Sequence, residues 1–555
     1  MRPTKVKLYC PNCGYSEDYT RLLSSCPSCG ETYLDAVYEL QSPLNWPAAL
    51  RDRPPTMWRF HELLPIRDLS KIVSLGEGGT PLIKSQNFGA MLGLNHLYIK
   101  DERQGPTGSF KDRQAALAIS SIREYDINEL VVASTGNVAI AYSAYAARAG
   151  VELTAFTISS VPPEKMREVT LYGTELVKVT GTYDQAKQVA RRFAESKGLP
   201  FDRGVKSIAA KESMKTIAFE IAEELGKIYG PTPSGRPWRT PDWYIQAVSG
   251  GLGPVGILKA FREMEQFGLS EGMPKLGNIQ SSGCDPMVRA YKAGLEEAPP
   301  FINPETRIAT VATDVPGIAY KILREALLTH GGVFESVSDE EAYEALKMVA
   351  RLDGFSVEPA TALAFAGLIK LVRDHIIHPD EIVVVNCTGH TFPVEKHILG
   401  GELVRDVDVT PAARREVPQE GLLSALEAVD QFVGRVLVIE DDLGAAQLMM
   451  RILRAHGVED LLHAPNGEAG VRMVERYQPH LVVLDLMMPG MDGFGVLDYM
   501  RSHEDYRDIP VVVVTAKDLT NEERDRLSGQ VQGLLQKGSF IDDATLQDLI
   551  DEKLS

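Results

Sequence analysis

The sequence is poor in cysteine, in long apolar runs and in positive charge, and each shortage excludes a class of protein. Six cysteines in 555 residues are too few and too unevenly placed for the disulfide framework of a small secreted domain. No apolar stretch approaches the roughly 18 residues that a membrane-spanning helix needs. The opening MRPTKVKLYC also lacks the apolar centre of a signal peptide, so a cytoplasmic protein with no membrane partner is expected. Lys and Arg number 58 against 76 Asp and Glu, a formal charge of −18. That balance leaves no basic excess to displace counterions from a phosphate backbone, and no nucleic-acid partner is expected.

What the chain has is length, with room for three or four domains of about 150 residues each. Composition divides it at three places. Residues 1–40 hold four of the six cysteines. Residues 41–400 alternate short apolar runs (LVVAST, WYIQAV, IVVVNC) with helix-patterned stretches, which predicts an α/β fold with parallel strands. Residues 401–433 contain the polar RDVDVTPAARREVPQEG and end in LLSALEAVDQFV, a linker whose last part has helical spacing. Residues 434–555 again alternate, with VLVIE, LLHA, LVVLD, VVVV and GLLQ as five candidate strands of a second α/β domain.

Cys10 and Cys13 lie in YCPNCG, Cys26 and Cys29 in SCPSCG, with twelve residues between the pairs. Each C-x-x-C followed by glycine can form a tight knuckle, and four thiolates close the shell of one structural zinc ion. A redox dithiol is the weaker alternative, since one pair would suffice for it.

In KDERQGPTGSFKDR, Lys111 follows a turn rich in Gly, Ser and Thr and opens a helix-patterned stretch. A lysine that condenses with a carbonyl must lose its proton near neutral pH, and the adjacent Phe110 supplies part of the desolvation that this requires. WYIQAV, SGGLGPVG and ILKAFREMEQFG read as strand, glycine loop and helix, a place where backbone amides close around a phosphate. GLGPVG also satisfies G-x-G-x-x-G, but NIQSSGCD offers no acidic strand end at the distance a dinucleotide site needs. STGN (Ser134, Thr135, Gly136, Asn137) stands between a strand and an alanine-rich helix, where it either binds a carboxylate or simply caps the helix. Thr388, in NCTGH, stands at the end of IVVVNC, the strand edge where open α/β sheets bind ligands.

These segments, with VEPATALAFAGL and TGH following in order, resemble the fold-type II pyridoxal-phosphate enzymes, a two-subdomain α/β fold. GEGGTPL, MKTIAFEIAEELG and the four-cysteine amino-terminal ribbon are similar to threonine synthases. The resemblance implies pyridoxal 5'-phosphate as cofactor. Lys111 would hold it covalently and move protons at the substrate's Cα and beyond, with Phe110 alongside. Asn137 would bond the ring hydroxyl, Gly250, Gly251, Leu252 and Gly253 would cradle the phosphate, and Thr388 would face the pyridine nitrogen. Ser134, Thr135 and Gly136 would bind a small amino-acid substrate. The implied reaction takes O-phospho-L-homoserine and water to L-threonine and phosphate, in a homodimer. A hydroxyamino-acid ammonia-lyase, a β-replacement enzyme, or a silent metabolite sensor are the alternatives. Val138 stands where the family often has a hydroxyl, and IATVATDVPG replaces an AIRIGNP-type stretch. Both departures bear on substrate. Lys165 and Lys215 are candidate partners of a substrate phosphate.

In the last segment VLVIEDD ends a predicted strand with Glu440, Asp441 and Asp442, and LVVLDLMMPGMDG ends another with Asp485. Carboxylates at two neighbouring strand ends can converge on a hard cation. VVVVTA and LLQKG bring Thr515 and Lys537 to later strand ends. The segment resembles a response-regulator receiver, a five-stranded parallel flavodoxin-like fold. The resemblance implies Asp485 as phosphoacceptor, Glu440, Asp441, Asp485 and Met487 around Mg2+, Thr515 and Lys537 as switch residues, and a histidine kinase or phosphotransfer protein as partner. Leu534 and Gly538 stand where receivers often have an aromatic residue and a proline, which predicts graded modulation or partner docking rather than aromatic-flip coupling.

Overall fold

The computed structural model describes residues 4–40, 45–134, 136–158, 163–179, 183–301, 304–313, 315–390, 435–455 and 460–515, with short pieces at 458, 523, 526–527, 530–531 and 533–536. Thr135, Lys537, Gly538 and the linker helix expected near residues 422–433 lie outside the described residues, as does the side chain of Lys165. The chain divides into two compact units, Met1–Leu403 and Val404–Ser555.

The first unit opens with a three-stranded antiparallel sheet of β1 (Thr4–Tyr9), β2 (Ser16–Asp18) and β3 (Asp35–Leu40), with β1 in the middle. The block that follows builds two further sheets. One has six strands: β4 (Leu82–Lys84), β5 (His96–Asp101), β9 (Trp243–Ala247), β10 (Lys275–Ser281), β11 (Gly332–Val337) and β12 (Ile382–Cys387), in the order β11-β10-β9-β12-β5-β4. Only the edge strand β4 runs antiparallel to its neighbour. The other is a parallel sheet of β6 (Glu129–Ala133), β7 (Glu152–Ile158) and β8 (Glu175–Val179).

Alternation along the strands explains why the six-stranded sheet is covered on both faces. Tyr98, Tyr244, Leu276 and Val384 point into one core, shared with α3 (Ile208–Tyr229), α4 (Leu252–Gln266) and the amino-terminal strands. Ile99, Ile245, Ile279, Val383 and Val385 point into the other, against α5 (Pro359–Arg373). The smaller sheet packs against α1 (Lys111–Glu124) and α2 (Asn137–Ala149), with Val132, Ala141, Tyr145 and Leu153 in its core.

The second unit is a five-stranded parallel sheet of β13 (Arg435–Ile439), β14 (Asp460–Ala464), β15 (Leu481–Leu484), β16 (Val511–Thr515) and β17 (Gly533–Gln536), in the order β14-β13-β15-β16-β17. All five apolar runs of the carboxy-terminal segment are strands. Helices α6 (Leu443–Ala455), α7 (Gly467–Tyr477) and α8 (Gly493–Ser502) connect the first four. Among the described residues, no helix is long and apolar enough to cross a membrane.

Candidate active site and receiver site

Lys111 is the first residue of α1, and the loop before it is held from two sides. The Phe110 N–H donates to the Thr388 carbonyl at 2.9 Å, the His390 N–H donates to the Gly108 carbonyl at 2.9 Å, and Ser109 bridges Gly389. The end of β12 is thereby fastened to the start of α1. From the other side Asp112 accepts from the Thr107 N–H (3.0 Å) and hydroxyl (2.7 Å). Burial pushes the Asp112 carboxyl up to about 7, although the Thr107 bonds oppose it. Gly105 is required here, because a Cβ would stand 2.4 Å from the Asp112 carboxylate.

The ammonium of Lys111 lies 4.1 Å from the centre of the Phe110 ring. Burial pushes its pKa down to about 8, against the pull of Asp202 and Glu358. A lysine in this state exchanges its proton near neutrality. Next to it, Arg113 is locked into a buried network. Its guanidinium donates to Glu102 and Glu220, and Lys100 donates to Glu220 at 2.6 Å. These contacts anchor α1 against α3 and β5, since removing one member of such a set leaves a buried charge uncompensated.

Asn137 opens α2, and its Nδ2 donates to Glu358 Oε2 at 2.7 Å. Thr388 donates to Glu358 Oε1 at 3.1 Å and lies 2.6 Å from the Thr361 hydroxyl. The structure therefore brings Lys111, Asn137 and Thr388 together from two subdomains, with a carboxylate absent from the residues singled out in the sequence. Glu358 stands in VEPATALAFAGL, and an acidic residue directly before a proline that opens an apolar helix was the available signal. Ser134, 4 % exposed, uses its hydroxyl oxygen to accept from the Gly136 and Ala139 N–H groups at 3.2 Å each. Its side chain serves the helix start, while Gly136 remains beside Asn137.

The glycine loop sits between β9 and α4. Gly251 has φ +75°, and Leu252 begins the helix. The first N–H groups of a helix have no intrahelical partner, and Pro254 in this first turn removes none that is needed. A Cβ at Gly253 would overlap the Gln246 amide at 2.3 Å, while at Gly250 it would meet nothing within 4 Å. Open space over Gly250 beside a helix start suits a phosphate. A lysine poised near neutrality, an amide donor, a strand-end hydroxyl and a phosphate cradle together fit pyridoxal phosphate.

Lys215 requires a correction. Instead of facing a substrate phosphate, it is fully buried and paired with Glu212 (2.7 Å) and Glu263 (2.6 Å). Lys259 joins Asp35 and Glu212, Lys211 reaches Asp35 and the Leu34 carbonyl, and the Tyr38 hydroxyl donates to Glu212. The cluster fastens β3 to α3 and α4. The sequence pattern missed this because the partners lie up to 224 residues apart.

In the amino-terminal sheet the Cys10 and Cys29 sulfurs are 3.6 Å apart, as are those of Cys13 and Cys26, and all four lie within 4.8 Å of one another. The Gly14 and Gly30 N–H groups return to the Cys10 and Cys26 carbonyls at 2.9 Å, closing each knuckle with a glycine at positive φ.

In the second unit Glu440, Asp441 and Asp485 bring carboxylate oxygens within 4.8 Å of one another at neighbouring strand ends. Asp485 accepts from the Met487 N–H at 3.1 Å, and Thr515 is buried at the end of β16. Met487 keeps 55 % of its surface exposed beside this acidic group.

A family model described as "Pyridoxal-phosphate dependent enzyme" matches residues 73–389, and one described as "Response regulator receiver domain" matches residues 436–551. Threonine synthase of Methanocaldococcus jannaschii is 35 % identical over 384 residues, which are 69 % of this chain and 91 % of the relative. Threonine synthase of Methanosarcina acetivorans is 33 % identical with the same coverage. The processed form of threonine deaminase isoform 2 from Solanum lycopersicum has a similar structure, with 21 % identity, TM-score 0.48, and coverage of 57 % of this chain and 84 % of that one. The chain belongs to the pyridoxal-phosphate dependent enzymes, with threonine synthases as homologues, and carries a response regulator receiver domain on its carboxy-terminal side.

Proposed function

We propose that residues 41–400 form a cytoplasmic lyase of the threonine synthase type, which takes O-phospho-L-homoserine and water to L-threonine and phosphate. The observation that supports this most is the Lys111 amine, held near pKa 8 within reach of Glu358, Asn137 and Thr388. The amine of Lys111 would carry the cofactor and then take and return protons at the substrate's Cα and the carbons beyond. When bound, the cofactor supplies an electron sink for charge developing at Cα. Asn137 would hold the ring oxygen, Gly250 to Gly253 the phosphate, Thr388 the ring nitrogen, and Phe110 would exclude water beside Lys111. Gly136 and Thr135, with Ser134 shaping the turn, would receive the substrate carboxylate.

The remaining assignments rest on chemistry of the same kind. A tetrahedron with zinc–sulfur bonds of about 2.3 Å has edges of about 3.8 Å, close to the 3.6 Å between the cysteine sulfurs, so residues 1–40 are read as a zinc ribbon. In the receiver, residues 434–555, Asp485 would take a phosphoryl group from a histidine kinase or phosphotransfer protein, with Mg2+ held by Glu440, Asp441, Asp485 and Met487. Thr515 and Lys537 would answer the phosphoryl oxygens. Phosphorylation would modulate or localise the lyase, across the linker 401–433, in a homodimer.

A second reading has specific support. Val138 offers no hydroxyl after Asn137, and Lys215 is already paired with two carboxylates. The first removes a donor to the substrate carboxylate and so bears on which substrate fits, and the second favours a substrate without a phosphate, such as a hydroxyamino acid undergoing deamination or β-replacement. Assaying the purified chain with pyridoxal phosphate separates the two. Phosphate and threonine released from O-phosphohomoserine support the first reading, whereas ammonia released from serine or threonine without phosphate turnover supports the second.

A further inference from the structure

The four-cysteine sheet touches both halves of the cofactor fold. On the side of the six-stranded sheet, β3 is fastened to α3 and α4 by Asp35, Lys211, Lys259, Glu212 and Tyr38. On the side of the smaller sheet, the stretch between the two knuckles makes the contacts. Tyr19 is 2 % exposed and meets the ring of Tyr125, at the end of α1, edge-on at 6.4 Å. Leu22 packs against both cores, and the Ser24 carbonyl accepts from the Arg203 guanidinium at 2.6 Å. Residues 19–24 lie between Cys13 and Cys26, whose sulfurs are 3.6 Å apart. The free energy of metal binding to a small thiolate site is folding free energy of the segment it closes, and here that segment carries the contacts to α1 and Arg203.

Arg203 leads on to the lysine. The residue before it, Asp202, stands beside the smaller sheet, where its N–H donates to the Val131 carbonyl of β6 at 3.2 Å. Its carboxylate accepts from Gln114 Nε2 on α1 at 2.7 Å, from the Tyr142 hydroxyl on α2, and from the Gly204 N–H at 2.8 Å. Gln114 is three residues beyond Lys111 and so on the same face of α1, which places Asp202 along the face that presents the amine. All three donors are neutral. Asp202 and Glu358 are the carboxylates whose charge reaches Lys111. The other charged side chains in this turn of α1 are engaged elsewhere, Asp112 with Thr107 and Arg113 with Glu102 and Glu220.

We propose that Asp202 and Arg203 are positioning residues that strap the four-cysteine ribbon to the Lys111 site, so that closure of the knuckles on a metal holds α1 and the carboxylate beside the amine in place. The inference rests on the proposed cofactor role of Lys111 and on the reading of residues 1–40 as a zinc ribbon, and it connects the two. Metal bound at one end of the strap then acts on the amine at the other without touching cofactor or substrate.

The test uses the full-length, zinc-loaded chain. Reductive methylation of the cofactor-free protein, mapped by peptide mass, gives the pH profile of the Lys111 amine. Asp202→Asn can keep the bonds to Gln114 and Tyr142 but removes the charge, and should move that profile to lower pH by roughly one unit, the lower end of the effect of a neighbouring opposite charge. A purely structural role would leave it unmoved. Arg203→Ala, which leaves the cysteines intact, should raise amide hydrogen exchange in residues 111–124 and 201–207 roughly tenfold, the size of one hydrogen bond to a charged group, while β9 and β12 stay protected. Stripping zinc with a chelator should raise exchange in the same two segments, and if the stripped chain unfolds as a whole, Arg203→Ala decides. An unchanged Lys111 profile in Asp202→Asn, or unchanged exchange of both segments in Arg203→Ala, overturns the inference. Borohydride reduction of the pyridoxal-phosphate-loaded chain reports separately on the proposed function, which fails if Lys111 carries no pyridoxyl group, whatever the methylation and exchange results.

Discussion

Lys215 and Lys111 lie in the same unit, on helices α3 and α1 that pack against each other, and their ammonium groups meet opposite surroundings. Lys215 has carboxylates at 2.6 and 2.7 Å, and the neighbouring Lys259 reaches Asp35 and Glu212 at 2.6 and 2.5 Å. Burial alone would lower Lys259, yet Asp35, Glu212 and Glu263 together hold it above the ordinary lysine value. Lys111 is desolvated too, but Asp202 and Glu358 act on it only through space and leave it near 8. Compensated lysines fasten elements together. An undercompensated one is available for chemistry.

The comparison can be broken most directly at Lys111. Lys111→Ala should abolish covalent attachment of pyridoxal phosphate and lower turnover by at least the ~10²- to 10⁴-fold of a lost acid–base group, with thermal unfolding little changed. A measured turnover within tenfold of wild type would contradict the role given to the amine. Lys215→Ala should do the reverse. Removing one of the two lysines that neutralise Glu212 and Glu263 in the interior, with Lys259 left as their remaining cation, is expected to destabilise the fold by up to about 3–5 kcal/mol, read from urea unfolding, while folded molecules still bind cofactor through Lys111.

A smaller effect follows from pH. The Lys111 amine is lowered from 10.5 to about 8, so its free-base fraction rises through pH 8 rather than pH 10. Modification of the cofactor-free protein by an aldehyde reagent should accelerate up to about pH 8 and then level off at residue 111, while exposed lysines continue to gain. Stability has a matching sign. Between about 8 and 10.5 the unfolded chain binds more protons at this residue than the folded one, so this group's contribution makes stability increase with pH in that window. Asp112 behaves oppositely. Its folded pKa, raised from 3.8 to about 7, makes its contribution fall as pH rises between those values, and Asp112→Asn should flatten that part of the stability profile. The smallest effect is expected from the receiver. Asp485→Asn should remove phosphorylation by acetyl phosphate and change lyase turnover by no more than roughly 10- to 150-fold, since one charged hydrogen bond of roughly 1.5–3 kcal/mol is below the ~5.5 kcal/mol of a full switch.

Which of these features could be seen in the sequence depended on distance along the chain. The strand runs of the second unit are local, β-branched and evenly spaced, and all five appear as strands in a parallel sheet. The C-x-x-C pairs and the run from Gly105 to Lys111 were visible for the same reason. Glu358 was not, because its partners Asn137 and Thr388 stand 221 and 30 residues away, and its one local signal, a glutamate before the proline that opens an apolar helix, equally marks an ordinary helix start. Lys215 was misjudged because a lysine on an amphipathic helix is usually solvated, and only the docking of α4, which carries Glu263, and of β3, whose Tyr38 ring lies 4.1 Å from the ammonium, buries it. Apolar alternation likewise could not assign LVVAST to one sheet and IVVVNC to another.

The central claim is that Lys111 is the residue that carries the cofactor. Borohydride reduction of the purified, pyridoxal-phosphate-loaded protein followed by peptide mass mapping measures this directly. A pyridoxyl group on the peptide containing Lys111, and its disappearance in Lys111→Ala, is the result predicted. A pyridoxyl group on another lysine, or on none, would contradict it.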